Sequence, residues 1–323
     1  MFNEILKTIS EFDRIILHRH SHPDGDAIGS QLGLYHLIKD NFSGKEVYKV
    51  GDDASRFGFL DGSAPEEIPD SYYDGALAII LDCGAAHMIS DERYKLAKKT
   101  IRFDHHLFCE NVADIDCVDS TYESCCGLVA MFAKQTGLNL SLSSATALYL
   151  GMVTDSGRFR FDSTTARTFE LAAYLLSQPI DVNYLYYNLY ADDFDSLKQK
   201  ANNILKIRFT EHNAAYIYTT LEEVKASGGD FFSISRGLVG LMADIKNVFA
   251  WVNFTEWEDG VHVELRSNKY NINPIAVKYG GGGHKKASGC LVPDKETAMK
   301  LLADLDKLQQ SDGNLDGIVE QTI

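Results

Sequence analysis

The run Gly75-Ala76-Leu77-Ala78-Ile79-Ile80-Leu81 contains no residue that gains by facing water. It falls far short of the ~18 apolar residues a membrane-crossing helix needs. A run this short reads as a strand covered on both faces, which is the condition of an inner strand in a parallel sheet. Parallel neighbours require crossover connections, usually helical, and the chain supplies them. Arg14-Ile15-Ile16-Leu17, Lys45-Glu46-Val47-Tyr48-Lys49-Val50 and Thr100-Ile101-Arg102-Phe103 read as further strands. Apolar periodicity predicts helices at about 28–38, 124–137, 142–153 and 164–178, after a short amphipathic helix within residues 1–13. Strands alternating with helices define an α/β class, here a doubly wound domain with a mainly parallel sheet.

From about residue 213 the pattern changes. Residues 214–218, 249–254 and 261–266 read as strands around a helical run near 235–245, which makes a second, smaller α+β domain with a mixed sheet. Residues 181–208, rich in tyrosine and charge, read as a connecting helix. The expected boundaries are therefore 1–180 for the first domain, 181–208 for the connector and 209–323 for the second, with a loose polar tail from Ser311.

Composition narrows the class of function. The content is that of a soluble globular chain, 45% hydrophobic and 24% charged, and the first residues lack the basic region and cleavage site of a secretory signal. Six cysteines (Cys83, Cys109, Cys117, Cys125, Cys126, Cys290) include no C-x-x-C pair, which favours reduced thiols in a cytoplasm, and with no apolar run near membrane-spanning length no membrane partner is expected. A net charge of −15 disfavours tight binding of long duplex nucleic acid, which depends on neutralising phosphates. A small polyanion in a locally basic or metal-bearing cleft remains compatible with it.

Acidic and imidazole residues collect where apolar segments end: His20, Asp24 and Asp26 after the first strand, Asp82 after the central one, Asp104, His105 and His106 after the next, and Asp155 at the end of a helix. In open α/β sheets the carboxyl edge is where ligands bind. Gly25 is expected to let the chain turn tightly between the two flanking carboxylates. For Asp26, Asp82 or Asp155 alone, the competing reading is a helix cap. Several such carboxylates beside histidines are better explained by a cation, because desolvated like charges repel. Carboxylate with imidazole selects a hard to borderline ion, Mn²⁺ or Mg²⁺ ahead of Zn²⁺. So many candidate ligands exceed what one small ion needs and suit two ions sharing a carboxylate, an arrangement that serves phosphoryl transfer. His18 and His22 flank the motif as solvated or packing residues.

The Asp104-His105-His106 triplet, the His-x-x-Pro-Asp-Gly-Asp-Ala-x-Gly-Ser segment from His20 to Ser30, Leu81-Asp82-Cys83-Gly84 and Thr154-Asp155-Ser156-Gly157 occur in the order that resembles the DHH phosphoesterase superfamily. The resemblance implies that His20, Asp24 and Asp82 hold one metal and that Asp26, Asp82, His105 and Asp155 hold the other, with Asp82 bridging. It implies catalytic roles for His106, at the scissile phosphate, and for Asp104, which orients the histidines. Tyr122-Glu123-Ser124-Cys125-Cys126 departs from the Ser/Thr-rich segment the family would bring.

In the second domain, Val261, Val263 and Leu265 alternate with His262, Glu264 and Arg266, so Arg266 shares a polar face where its guanidinium can grip phosphate. The run Gly280-Gly281-Gly282-Gly283-His284 presents bare backbone; on its own it is a flexible turn. With Arg266, Ser267 and Ala287-Ser288-Gly289 it resembles the nucleotide-binding domain attached to one DHH subgroup, the nano-RNase/pAp phosphatase type. That resemblance assigns substrate binding to Arg266, Ser267, Gly281, Gly282, Gly283 and His284. Arg158 and Arg160 alternate with Phe159 and Phe161, which predicts a strand with its arginines on one side; Arg158 is a candidate phosphate contact beside a plain solvated face.

The implied activity is two-metal hydrolysis of very short single-stranded RNA or DNA, about 2–5 nucleotides, and of 3′-phosphoadenosine 5′-phosphate (pAp), with homodimerisation left open. The alternatives are a manganese pyrophosphatase or exopolyphosphatase, a phosphodiesterase for cyclic-dinucleotide products, and a non-catalytic nucleotide-binding protein.

Overall fold

The computed structural model describes residues 1–227 and 231–319, which divide into two compact units, Met1–Ala191 and Asp192–Ile323. The first unit contains α1 (Phe2–Glu11), β1 (Arg14–His18), α2 (Gly25–Asn41), β2 (Glu46–Lys49), β3 (Leu77–Leu81), β4 (Lys99–Asp104), β5 (Ile115–Val118), α3 (Cys125–Thr136), α4 (Leu142–Asp155), α5 (Ala166–Leu175) and α6 (Val182–Tyr190). Its sheet is wholly parallel, in the order β2-β1-β3-β4-β5. The expected α/β class holds. Every side chain of β3 is buried, as the unbroken apolar run requires. This strand order reverses direction between β1 and β3, and the crevice outside their carboxyl ends is the favoured ligand position. β5 lay outside the expected strands because Ile115-Asp116-Cys117-Val118 is a short edge with little apolar signal.

Gly25 is the first residue of α2 and is not in a left-handed conformation, contrary to expectation. Its role is close approach. Gly25, Gly29 and Gly33 form a seam on α2 against α4, where a Cβ at Gly25 would run into Thr154 and one at Gly33 into Leu148. At Gly29 a Cβ would stand 2.6 Å from the Ala147 carbonyl oxygen and 2.9 Å from Cys126 Sγ. Backbone cannot yield as a side chain can. Gly29→Ala is therefore expected to cost about 1–3 kcal/mol by overpacking, which is roughly 2–4 °C of melting temperature per kcal/mol in a unit of this size. It should also weaken metal affinity, because α2 and α4 carry Asp26 and Asp155. Thermal melting and metal titration of the variant check both.

The expected strand over 158–161 is absent. Arg158 and Phe159 both take φ 63°, so the chain coils into a turn and alternation does not apply. The expected 181–208 connector is two helices, α6 in the first unit with Leu185 in its core, and α7 (Phe194–Leu205) in the second.

The second unit adds β6 (Arg208–Phe209), β7 (Ala215–Thr219), α8 (Leu221–Ser227), α9 (Phe231–Gly237), β8 (Ala250–Trp257), β9 (Gly260–Ser267), α10 (Asn273–Lys278), β10 (Gly282–Gly283), β11 (Ala287–Val292) and α11 (Lys295–Gln310). Its mixed sheet runs β10-β11-β9-β8-β7-β6, with only β7 and β8 parallel among the described strands. Val261, Val263 and Leu265 of β9 are buried while His262, Glu264 and Arg266 face outward, as their alternation predicts. The tail is not loose as far as Val319: Leu315 and Ile318 pack on the unit's core, and Lys278 Nζ donates to the Ile318 carbonyl; residues 320–323 lie outside the described part. Among the described residues no helix is long and apolar enough to cross a membrane.

Candidate metal centre

Three of the strands, β1, β3 and β4, are followed at the carboxyl edge by polar side chains of the centre. After β1, His20 is fixed by a bridge to Ile89, and its Nδ1 meets the Ser21 carbonyl at 2.8 Å. Asp24 caps α2, its Oδ1 accepting from the amides of Asp26 and Ala27 at 2.9 and 3.1 Å. The capping role thus falls to Asp24, which leaves Asp26 inside the first turn and buried. Its two oxygens accept the first amides of α3, Cys125 N at 2.7 Å and Cys126 N at 2.9 Å. Asp82 follows β3 with φ 58°, a conformation that non-glycine residues adopt only at a cost and that clusters at functional sites. Asp155 ends α4, where the helix dipole disfavours a negative charge and a cation would relieve it.

These groups converge. His20 Nε2 lies 3.5 Å from Asp82 Oδ2 and 3.7 Å from Asp24 Oδ1. His105 Nε2 lies 3.5 Å from Asp82 Oδ1, 3.4 Å from Asp155 Oδ2 and 3.7 Å from Asp26 Oδ2. Asp82 therefore turns one oxygen to each group of donors. The separations exceed hydrogen-bond lengths; ligands of one octahedral ion at about 2.1 Å stand roughly 3 Å apart. Asp82 Oδ1 is buried without a hydrogen-bond partner, which is costly unless a cation completes it. The donor set of carboxylate and imidazole fits a divalent ion, and three clusters could hold one: His20-Asp24-Asp82, Asp26-His105-Asp155 and Asp82-His105-His106.

The electrostatics match the crowding. Burial first, then the charges of Asp82, Asp155 and Asp24, push the Asp26 carboxyl well above the ordinary range. Burial, with the charges of Asp82 and Asp24, pushes Asp155 up to about 7 against the pull of His105 and His106. At His20 burial works against protonation, but the neighbouring Asp24 and Asp82 carboxylates outweigh it and raise the imidazole to about 11. Asp104 Oδ1 accepts a hydrogen bond from His106 Nδ1 at 2.7 Å, which raises His106 and leaves its Nε2 available to a ligand. Burial, followed by the Asp26 charge, drives the Cys125 and Cys126 thiols well up, and neither joins a cluster of candidate ligands among the described residues.

Sequence reasoning missed Arg102, which is fully buried and binds the carbonyls of Cys83 and Gly84 beside Asp82. The signal was available, a cation inside an otherwise apolar strand. Ser124 caps α3 through Gly127 N and is buried, so its hydroxyl serves the fold. His18 packs between Tyr73 and Tyr94, and His22 is exposed. Arg158 sits on the turn after Asp155 with its guanidinium over the Tyr190 ring.

In the second unit a cleft of about 430 Å³ is lined by Arg236, Glu264, Arg266, Gly282, Gly283 and neighbours on β9 and β11. Arg266 Nη1 rests on Glu264 at 3.1 Å, and Arg236 Nε lies 3.5 Å from the same carboxylate. Ser267 falls on the opposite, buried face, where its hydroxyl donates to the Phe249 carbonyl and accepts from the Lys269 and Tyr270 amides; it does not line the cleft. Gly282 and Gly283 form β10 against β11, and Gly281 is needed because a Cβ there would strike the Gly289 carbonyl. His284 is exposed at the hairpin turn.

Comparison with known proteins agrees with this arrangement. Residues 14–152 match the DHH family N-terminal domain and residues 213–311 match the DHHA1 domain. The Bacillus subtilis protein named bifunctional oligoribonuclease and PAP phosphatase NrnA is 33% identical over 311 residues, covering 95% of this chain and 98% of that one. A probable NrnA from Streptococcus mutans is 34% identical over 289 residues, covering 89% and 92%. The crystal structure of an exopolyphosphatase-related protein from Bacteroides fragilis aligns over 96% of both chains with a TM-score of 0.85 and 27% identity. With both domains matched and the carboxylates and imidazoles gathered at the sheet edge, this chain belongs to the DHH family of metal-dependent phosphoesterases, in its DHH–DHHA1 form.

Proposed function

We propose that this chain hydrolyses very short single-stranded oligonucleotides to mononucleotides and removes the 3′-phosphate of pAp, in the cytoplasm. Relatives of matching length carry those activities in their names. The observation that carries the reading is Asp82, a buried carboxylate with one oxygen toward His20 and the other toward His105. His20, Asp24 and Asp82 would hold one ion, and Asp26, Asp82, His105 and Asp155 the other, with Mn²⁺ favoured over Mg²⁺ by the imidazoles. Two such ions activate water and neutralise the charge that develops on a transferring phosphoryl group.

The chain's own groups do the rest. Asp26, fixed by two α3 amides, and Asp24, fixed as a cap, hold their carboxylates in place without needing to reorganise. His106 Nε2 contacts the phosphate or gives a proton to the departing oxygen, while Asp104 keeps the ring oriented and its Nδ1 protonated. Arg266 and the Gly282–Gly283 strand take a nucleotide phosphate in the second unit's cleft, where the anion replaces Glu264 as the guanidinium's partner. The net charge of −15 disfavours long duplexes as substrates.

End-labelled di- to pentaribonucleotides, pAp and inorganic pyrophosphate, each with Mn²⁺, Mg²⁺ or a chelator, test the assignment. Mononucleotides and phosphate should appear with metal and vanish with chelator. Pyrophosphate consumed faster than every nucleotide, or turnover that survives chelation, would overturn the reading.

A further inference from the structure

Helix α6 carries more aromatic surface than the fold uses. Asp181 caps it through the Tyr184 amide, and Leu185 is buried, with Val182, Tyr186 and Leu189 packed beside it on the core. Those residues account for the inner face. On the outer face Tyr184, Tyr187 and Tyr190 remain 49%, 72% and 38% exposed. At three-residue intervals they form one ridge, about 9 Å from first to last at the helical rise. The row is held rigid at its ends. The Tyr184 hydroxyl donates to the Phe59 carbonyl, and the Tyr190 ring leans on Tyr186 at 5.5 Å.

Positive charge meets this ridge in an otherwise acidic chain. Arg158 places its guanidinium 4.8 Å from the centre of the Tyr190 ring. Arg158 reaches there because it and Phe159 both adopt φ 63°, three residues beyond Asp155. Consecutive left-handed residues other than glycine are costly and persist only where the surroundings enforce them. Phe159 is held by Tyr149 and Phe169. The acids that follow α6 are already engaged, Asp192 by Lys200 and Asp193 by the first amides of α7.

We propose that the outer face of α6, with Arg158, is a stacking track for the bases of a single-stranded oligonucleotide that extend beyond the nucleotide being cleaved. Aromatic rings interleaved with arginine bind single strands through base faces and phosphates, with little sequence preference. A 9 Å ridge takes two or three bases at a stacking interval of about 3.4 Å. The inference rests on the oligonucleotide reading above and deepens it: chains of three to five nucleotides engage α6, while pAp, with one base, does not.

The test uses the full chain and the variants Tyr187→Ala and Tyr187→Trp. Tyr187 is the most exposed of the three, so neither change threatens folding. In Mn²⁺, Tyr187→Ala should lower the pentamer-to-dimer ratio of kcat/KM roughly tenfold, through KM, and Tyr187→Trp should restore it. Fluorescence anisotropy of a labelled pentanucleotide in chelator gives the same comparison without turnover, and Kd should weaken roughly tenfold for Tyr187→Ala. An unchanged ratio with unchanged Kd overturns the track, as does a change in oligomeric mass on removing Tyr187 without a change in Kd. A wild-type chain that binds the pentamer through Tyr187 but cleaves nothing would instead overturn the functional reading and leave the track standing.

Discussion

Asp82→Asn is expected to reduce turnover by at least about 10³-fold while making the metal-free protein more heat-stable. The two effects have one cause. Asp82 is buried, with one oxygen 3.5 Å from His20 and the other 3.5 Å from His105, and Asp26 and Asp155 lie beside the same imidazole. A neutral amide of the same shape loses the charge that two ions would share. Metal stabilisation of a phosphoryl transfer amounts to several kcal/mol, and each 1.36 kcal/mol is a factor of ten in rate. Without metal the same carboxylate repels Asp26 and Asp155, by about 3 kcal/mol per unit charge at 5 Å in an effective dielectric of 20, and its attraction to the His20 imidazolium offsets part of this. Removing that repulsion should raise the melting temperature in chelator by several degrees. Added Mn²⁺ should then stabilise the wild type and leave Asp82→Asn nearly unmoved. A variant that melts lower than the wild type in chelator would show that Asp82 is instead held by the fold.

Much of this centre was legible in the residues, because its members stand directly after apolar runs: Asp82 after 77–81, His105 and His106 after 99–104. Period and composition place a side chain at a strand end. They do not give the order of strands, and it is β2-β1-β3-β4-β5 that makes His20 and Asp82 neighbours. Nor did they show the left-handed backbone of Asp82, since nothing in its neighbours demands it. The glycine seam was written in the sequence as Gly25, Gly29 and Gly33, four residues apart on one helical face. Its meaning was hidden because the partner, α4, lies more than a hundred residues away.

Arg158 to Phe161 misled for the opposite reason. Two left-handed residues break the alternation that its spelling implied, sending Phe159 inward and leaving Phe161 exposed. In the second unit, β11 carries Ser288 and Gly289 where a strand former would be expected, and it exists because β9 pairs with it along its length. Tertiary pairing overrode local propensity there.

Replacing Arg102 with Met should produce the largest loss of stability of any single change at the site. The side chain is fully buried, and its Nε donates to Asp116 at 2.6 Å. Nη2 donates to the Glu110 carbonyl at 2.8 Å, and Nη1 reaches the carbonyls of Cys83 and Gly84 and lies 4.0 Å from Asp104. One guanidinium thus ties the end of β3, the loop after β4 and the start of β5 together. Methionine fills much of the volume but leaves the Asp104 and Asp116 carboxylates without their cation. Breaking one partner of a buried pair costs about 3–5 kcal/mol, which is roughly 6–20 °C of melting temperature in a unit of this size. Arg102→Lys keeps the charge but offers a single point donor to a fork of acceptors, so it should fall between Met and the wild type. If the cost is the orphaned carboxylate, the Arg102→Met/Asp116→Ala double variant should be more stable than the sum of the two single losses. Additive losses in urea unfolding would mean that Arg102 acts by packing alone. Activity supplies the second readout: Asp104 orients His106, so the Met variant should lose kcat at temperatures where it is still folded, with little change in metal affinity.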